Sequence, residues 1–158
     1  MTFNPNVFPL CPNIWQCLVS TIDIAQKKGI TVEFDLPESL EVYADVNMLD
    51  TVLRNLVNNA IRFTSRGGNV VITAKSVSAE NIEIEIRDSE IGMSKYLIDN
   101  LFRLDANTGR NGTEGESTSG LGLIICKDFI EKNGGGLWVE SEEGAGSTFR
   151  FNVPAVCE

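Results

Sequence analysis

Two asparagines four residues apart, in the run Arg54-Asn55-Leu56-Val57-Asn58-Asn59-Ala60, stand out as residues whose type and spacing could do chemistry. Residues i and i+4 share one face of a helix. Asparagine is a poor helix former, so Asn55 and Asn59 inside an apolar-periodic stretch need a reason. A carboxamide oxygen is a hard ligand that suits Mg2+, an ion that commonly pairs with substrate phosphates. The same spacing also suits a plain polar helix face. A second candidate is Arg87-Asp88-Ser89-Glu90-Ile91-Gly92-Met93, at the end of a strand. A carboxylate there can accept from the exocyclic amine of adenine, a charged hydrogen bond worth about 1.5–3 kcal/mol. Gly92 would let the backbone approach the base. Asp and Gly are equally common in ordinary strand-to-helix turns. The third is Thr118-Ser119-Gly120-Leu121-Gly122-Leu123, where a loop meets a helix. Glycine N–H groups at a helix start, helped by the helix dipole, can face an anion. No Gly-Lys-Ser/Thr follows, so this is not a P-loop. The last, Gly144-Ala145-Gly146-Ser147-Thr148-Phe149, is a tight turn entering a strand, a feature that is mostly structural.

Bulk properties narrow the classes. A chain of 158 residues fits one domain with a real core. The net charge of -9 argues against a nucleic-acid surface, which needs a Lys/Arg patch. It does not exclude ATP, whose phosphates can be met by backbone N–H groups and a metal ion. The four cysteines, Cys11, Cys17, Cys126 and Cys157, form no CxxC pair, and the chain has 0 histidines, so a zinc site is not expected. Lack of histidine also removes every histidine-based acid, base or nucleophile. The apolar runs are too short to span a bilayer, and no signal segment opens the chain, so it reads as cytosolic without direct membrane contact.

The elements that must position these residues follow from periodicity. Residues 1–9 are rich in Pro and Asn and read as a leader or linker end, leaving 10–158 as the domain. Ile14, Leu18, Ile22 and Ala25 predict a helix from near Pro12 to Gly29. A strand over 30–36 and a short one at Val42 and Ala44 follow. Asp45 is placed to cap a helix that runs to about Phe63. Two paired strands are expected at 69–77 and 81–87, the second alternating strictly between Ile82, Ile84, Ile86 and polar residues. A short helix from Ser94 to Phe102, a mobile loop over 105–120 and a helix from Leu121 to Lys132 come next. Strands at 137–142 and 147–153 close the chain. The class is α+β: a two-layer α/β sandwich, with a mixed, mostly antiparallel sheet covered on one face by three helices.

Taken together, the order and spacing of the motifs resemble the histidine-kinase branch of an ATPase superfamily. That superfamily also holds DNA gyrase, the mismatch-repair ATPases and the large heat-shock chaperones. The resemblance covers about residues 8–153. It includes an asparagine box from Asn55 to Thr64, a first glycine box from Asp88 to Gly92 and a phenylalanine box at Leu101-Phe102-Arg103. A second glycine box runs from Ser119 to Leu123, and Trp138-Val139-Glu140-Ser141 and Gly146-Ser147-Thr148-Phe149 match the family's last strands. The resemblance implies the catalytic and ATP-binding domain of a sensor histidine kinase. Asn59 would hold Mg2+, with Asn55 beside it. Arg62 would contact phosphate and Phe63 would line the nucleotide. Asp88 would read the adenine amine, with Gly92 under the ring. Gly120, Leu121 and Gly122 would offer N–H groups to the phosphates, and Thr148 would assist Asp88 through a water. Residues 104–119 would form a lid.

Hydrolysing relatives carry a Glu at the position of Asn55, which cannot take a proton. That implies transfer to another domain's histidine, not steady hydrolysis. The implied partners are a histidine-bearing dimerisation domain of the same parent protein and a response-regulator receiver domain. The isolated domain would be a cytoplasmic monomer. Glu90 stands where the family's first glycine box has its first Gly, and Thr118 where the second box often has another. Two alternatives therefore stay open: a degenerate pseudo-kinase domain used for docking, and an autonomous ATPase of the same superfamily.

Overall fold

In chain order the elements of the computed structural model are β1 (Asn6–Pro9), α1 (Leu10–Lys28), β2 (Thr31–Asp35), β3 (Glu41–Ala44) and α2 (Val46–Arg62). They continue with β4 (Asn69–Ser76), β5 (Asn81–Asp88), α3 (Leu121–Lys132), β6 (Leu137–Glu142) and β7 (Gly146–Pro154). The structure describes residues 2–89, 121–142 and 146–155. The expected helix at 94–102, the loop at 105–120, the phenylalanine box and Glu90 lie outside them.

The helices form where the apolar spacing places them. Ile14, Leu18 and Ala25 are the buried face of α1, which ends at Gly29 in a left-handed conformation with φ of 79°. Asp45 caps α2 by accepting from the Met48 N–H at 3.1 Å. Leu49, Leu53, Leu56, Val57, Ala60 and Ile61 then bury one face of that helix. The main sheet runs β2-β4-β5-β7-β6. The β2–β4 pair is parallel and the other three are antiparallel. Val70, Ile72, Ile82, Ile84, Ile86, Phe149, Phe151 and Val153 point from the sheet into one core shared with Leu53, Leu56, Cys126 and Ile130 of the helices. The result is the α+β sandwich that the periodicity predicts. On the other sheet face, Arg150 joins Glu85 at 2.9 Å and also pairs with Glu140. Burial alone would raise the Glu85 pKa, but Arg150 and Arg87 outweigh it and hold that carboxyl below its ordinary range.

One feature differs from the sequence expectation. Residues 6–9, read as a leader or linker end, form a strand paired antiparallel with β3, Asn6 opposite Ala44 and Pro9 opposite Glu41. Pro9 is tolerated because it sits at the strand's end. Correspondingly β3 does not pair with its neighbour β2. The chain crosses over through α2 so that β2 and β4 lie parallel, which a short hairpin turn cannot achieve.

Candidate functional site

The C-terminal half of α2 carries four of the candidate residues. Asn55, Asn59 and Arg62 are half-buried at the border of the core, while Leu56, Ala60 and Ile61 between them are buried. Phe63 is the buried C-cap of α2. The start of α3 lies against this stripe. A Cβ added at Gly122 would fall 3.4 Å from Asn55 Oδ1, in ordinary contact, so the first turn of α3 lies directly against the carboxamide. Asn55 also reaches the Cys126 thiol one turn further on. Thus the fold brings Asn55 and the start of α3 together.

Asp88 ends β5 on the inward series of Ile82, Ile84 and Ile86, and is only 6% exposed. Its Oδ1 accepts from the Ser147 N–H at 3.1 Å. Gly146, with φ of 106°, crosses the Asp88 backbone so closely that a Cβ there would come within 3.2 Å of the Asp88 carbonyl carbon. Behind Ser147, its hydroxyl lies 2.8 Å from that of Ser141. The next residue, Ser89, accepts from the Asn69 N–H at 3.1 Å and so ties the strand end to β4. A buried carboxylate held this way is a fixed acceptor for a donor such as an exocyclic amine. Gly68, against Thr64 and the Ser89 hydroxyl, brings the end of α2 beside the same strand end.

Thr148 is not placed where the sequence reading put it. It stands opposite Arg87, with Phe149 opposite Ile86. The period of two along β7 therefore sends Thr148 to the Arg150 face and Ser147 to the Asp88 face. Ser147 is the hydroxyl-bearing neighbour of Asp88. Counting back by twos from Phe151 and Phe149 would have found it. Gly92 and Gly120 lie outside the described residues, and Leu121 opens α3. Two further residues gave no sequence signal. Lys28, from α1, donates to the Ile61 and Arg62 carbonyls at the end of α2, at 3.0 and 3.1 Å. Asn133, just past α3, accepts from the Asp45 N–H at 2.8 Å and donates to Phe129 O at 2.8 Å.

The donor set suits some ligands and not others. Burial pushes the Cys126 thiol up to about 12 despite Asn55, and burial followed by Asp50 pushes Cys17 up to about 12. Both are held protonated near neutral pH, which makes them poor nucleophiles. Asn55 and Asn59 offer neutral, hard oxygens, which fit Mg2+ arriving with phosphates.

Residues 44–156 match the family described as histidine kinase-, DNA gyrase B-, and HSP90-like ATPase. The chain belongs to this ATPase family. It is 33% identical over 153 residues to the adaptive-response sensory-kinase SasA of Prochlorococcus marinus subsp. pastoris, across 96% of this chain and 41% of that protein. To the SasA of Synechococcus elongatus it is 31% identical over 159 residues, across 98% of this chain and 40% of that protein. The chain thus spans about two fifths of the length of these curated relatives. The catalytic domain of histidine kinase ThkA, in a nucleotide-free form, superposes with a TM-score of 0.81 at 31% identity, covering 98% of this chain and 96% of that one. ThkA in complex with the response regulator protein TrrA gives 0.79 at 28% identity, covering 98% of this chain and 42% of that one. Within the ATPase family the chain is a histidine-kinase catalytic domain.

Proposed function

We propose that this domain binds Mg-ATP and donates the γ-phosphoryl group to a histidine on a separate dimerisation domain. The observation that carries this reading is the buried Asp88 carboxylate, held by Ser147 under the Gly146 turn. In this reading Asp88 accepts from the adenine amine, Gly92 lies under the ring and Phe63 lines the nucleotide. Ser147 takes the supporting role first given to Thr148. Asn59 holds Mg2+ with Asn55 beside it, Arg62 meets phosphate, and Gly120, Leu121 and Gly122 present N–H groups. When bound, Mg2+ supplies charge neutralisation on the phosphates. The residues of this chain position the triphosphate, and none of the candidate groups acts as a base. Asn55 cannot take a proton, and the chain has 0 histidines. Such a site suits phosphoryl transfer, which depends mainly on positioning and charge. A nitrogen of the acceptor imidazole forms the new bond to phosphorus as the bond to the ADP oxygen breaks.

The parent protein would then pass the group to a response-regulator receiver domain, as the ThkA–TrrA complex suggests for its own pair. We place the domain in the cytoplasm, as a monomer when isolated. The test mixes this chain with the parent's histidine-bearing dimerisation domain and γ-labelled Mg-ATP. Acid-labile label on that domain, lost with Asn59→Ala, supports transfer. No label from the unaltered chain overturns it. Glu90 favours a second reading, a degenerate docking domain, because its charge replaces a motif glycine. Glu90→Gly would then tighten ATP binding markedly.

A further inference from the structure

The C-terminal ends of α1 and α2 lie side by side. The Gly67 N–H donates to Gly29 O at 2.9 Å, and the Thr31 N–H to Gly68 O at 3.1 Å. Arg66, just after α2, reaches the Lys27 carbonyl of α1 at 3.4 Å. Each helix end presents carbonyls without intrahelical partners, equivalent to about half a negative charge. This polarity is wrong for an anion site. Yet the end of α2 is the part that carries Asn59, Arg62 and Phe63.

Lys28 resolves the mismatch. It is 7% exposed, and its ammonium donates to the Ile61 and Arg62 carbonyls at 3.0 and 3.1 Å. The cation comes from the neighbouring helix, so it reaches the end of α2 without occupying a position on it. One of its acceptors is the carbonyl of Arg62 itself. Lys28 therefore fixes the backbone from which the Arg62 side chain departs.

We infer that Lys28 is a positioning residue for the phosphate end of the nucleotide site, cancelling the carbonyl charge of α2 so that this helix end can face a triphosphate. The inference rests on the nucleotide reading above. It concerns the charge presented to the phosphates, which Arg62 meets in that reading, and not the adenine amine from which Asp88 accepts.

The test compares dissociation constants for Mg-ATP, by calorimetry, and adenosine, by ligand-observed NMR, well below the melting temperature. The proteins are the unaltered chain, Lys28→Met and Lys28→Arg. Lys28→Met should weaken Mg-ATP by about 3- to 30-fold while adenosine changes less than about twofold. Lys28→Arg should restore most of the loss. If Lys28→Met does not fold, Lys28→Gln, which keeps a donor and loses the charge, is read by the same two constants. Equal weakening of both ligands, or no change in either, would overturn the inference. If the unaltered chain binds neither ligand, the nucleotide reading itself falls.

Discussion

Replacing Gly146 by alanine should damage both the fold and the proposed adenine end. Gly146 has φ of 106°, and an added Cβ would lie under 3.0 Å from the Asp88 carbonyl oxygen and 3.2 Å from the Ser89 carbonyl carbon. The backbone strain costs about 1–2 kcal/mol, and relieving the overlap costs about 1–3 kcal/mol more. A total of roughly 2–5 kcal/mol lowers the melting temperature by about 5–15 °C in a domain of this size. Relief needs a movement of roughly 1 Å at the strand end that carries Asp88, a displacement able to cost up to about 100-fold where geometry is critical. Gly67 supplies the control, because its φ is 85° but nothing lies within 4 Å of an added Cβ. Gly67→Ala should therefore show about 1–2 kcal/mol of strain alone and leave nucleotide affinity unchanged. Thermal melting with and without Mg-ATP, together with calorimetric titration, measures both effects. If Gly146→Ala melts no lower than Gly67→Ala and binds nucleotide like the unaltered chain, the close packing over Asp88 does not matter as argued.

Other outcomes follow from burial. Asn133→Ala leaves the buried Asp45 N–H without its acceptor, so urea unfolding should show a loss of about 1–3 kcal/mol with little change in slope. A loss near zero would mean that the tie between α2 and α3 contributes nothing. The Cys17 and Cys126 thiols, raised from 9.0 to about 12 chiefly by burial, should resist a thiol reagent at pH 8 in the native chain and react once it is unfolded. Rapid native labelling mapped to either residue would contradict this. The unfolded thiols ionise near 9.0 and the folded ones near 12. Their contribution is therefore fully present below about pH 9 and is lost as pH rises towards 12.

Much of this molecule is legible in its sequence because its periodicities are clean. Ile82, Ile84 and Ile86 announce β5, and Asp45 announces the start of α2 with a cap that the structure repeats. What the sequence hides depends on contacts between distant segments. The Asn6–Pro9 strand has a loop-like composition, and only pairing with β3 makes it a strand. Lys28 reads as a solvent-facing lysine at a helix end, and becomes a buried cap only because α2 ends beside α1. The candidate site divides in the same way. Asn55, Asp88 and Gly122 are visible as motifs. That Ser147, and not Thr148, shares a face with Phe149 and Phe151 can be read from the period of two, but that β7 pairs with β5 and so brings this face to Asp88 cannot.

Titration of Mg-ATP into the unaltered chain and into Asp88→Asn tests the central claim most directly. Asparagine keeps an oxygen to accept from the Ser147 N–H at 3.1 Å, so the fold should survive the change. The account predicts saturable, Mg-dependent binding by the unaltered chain, weakened in Asp88→Asn by about 10-fold or more, the value of a charged hydrogen bond. Absence of saturable binding at millimolar nucleotide, or equal binding by both proteins, would contradict it.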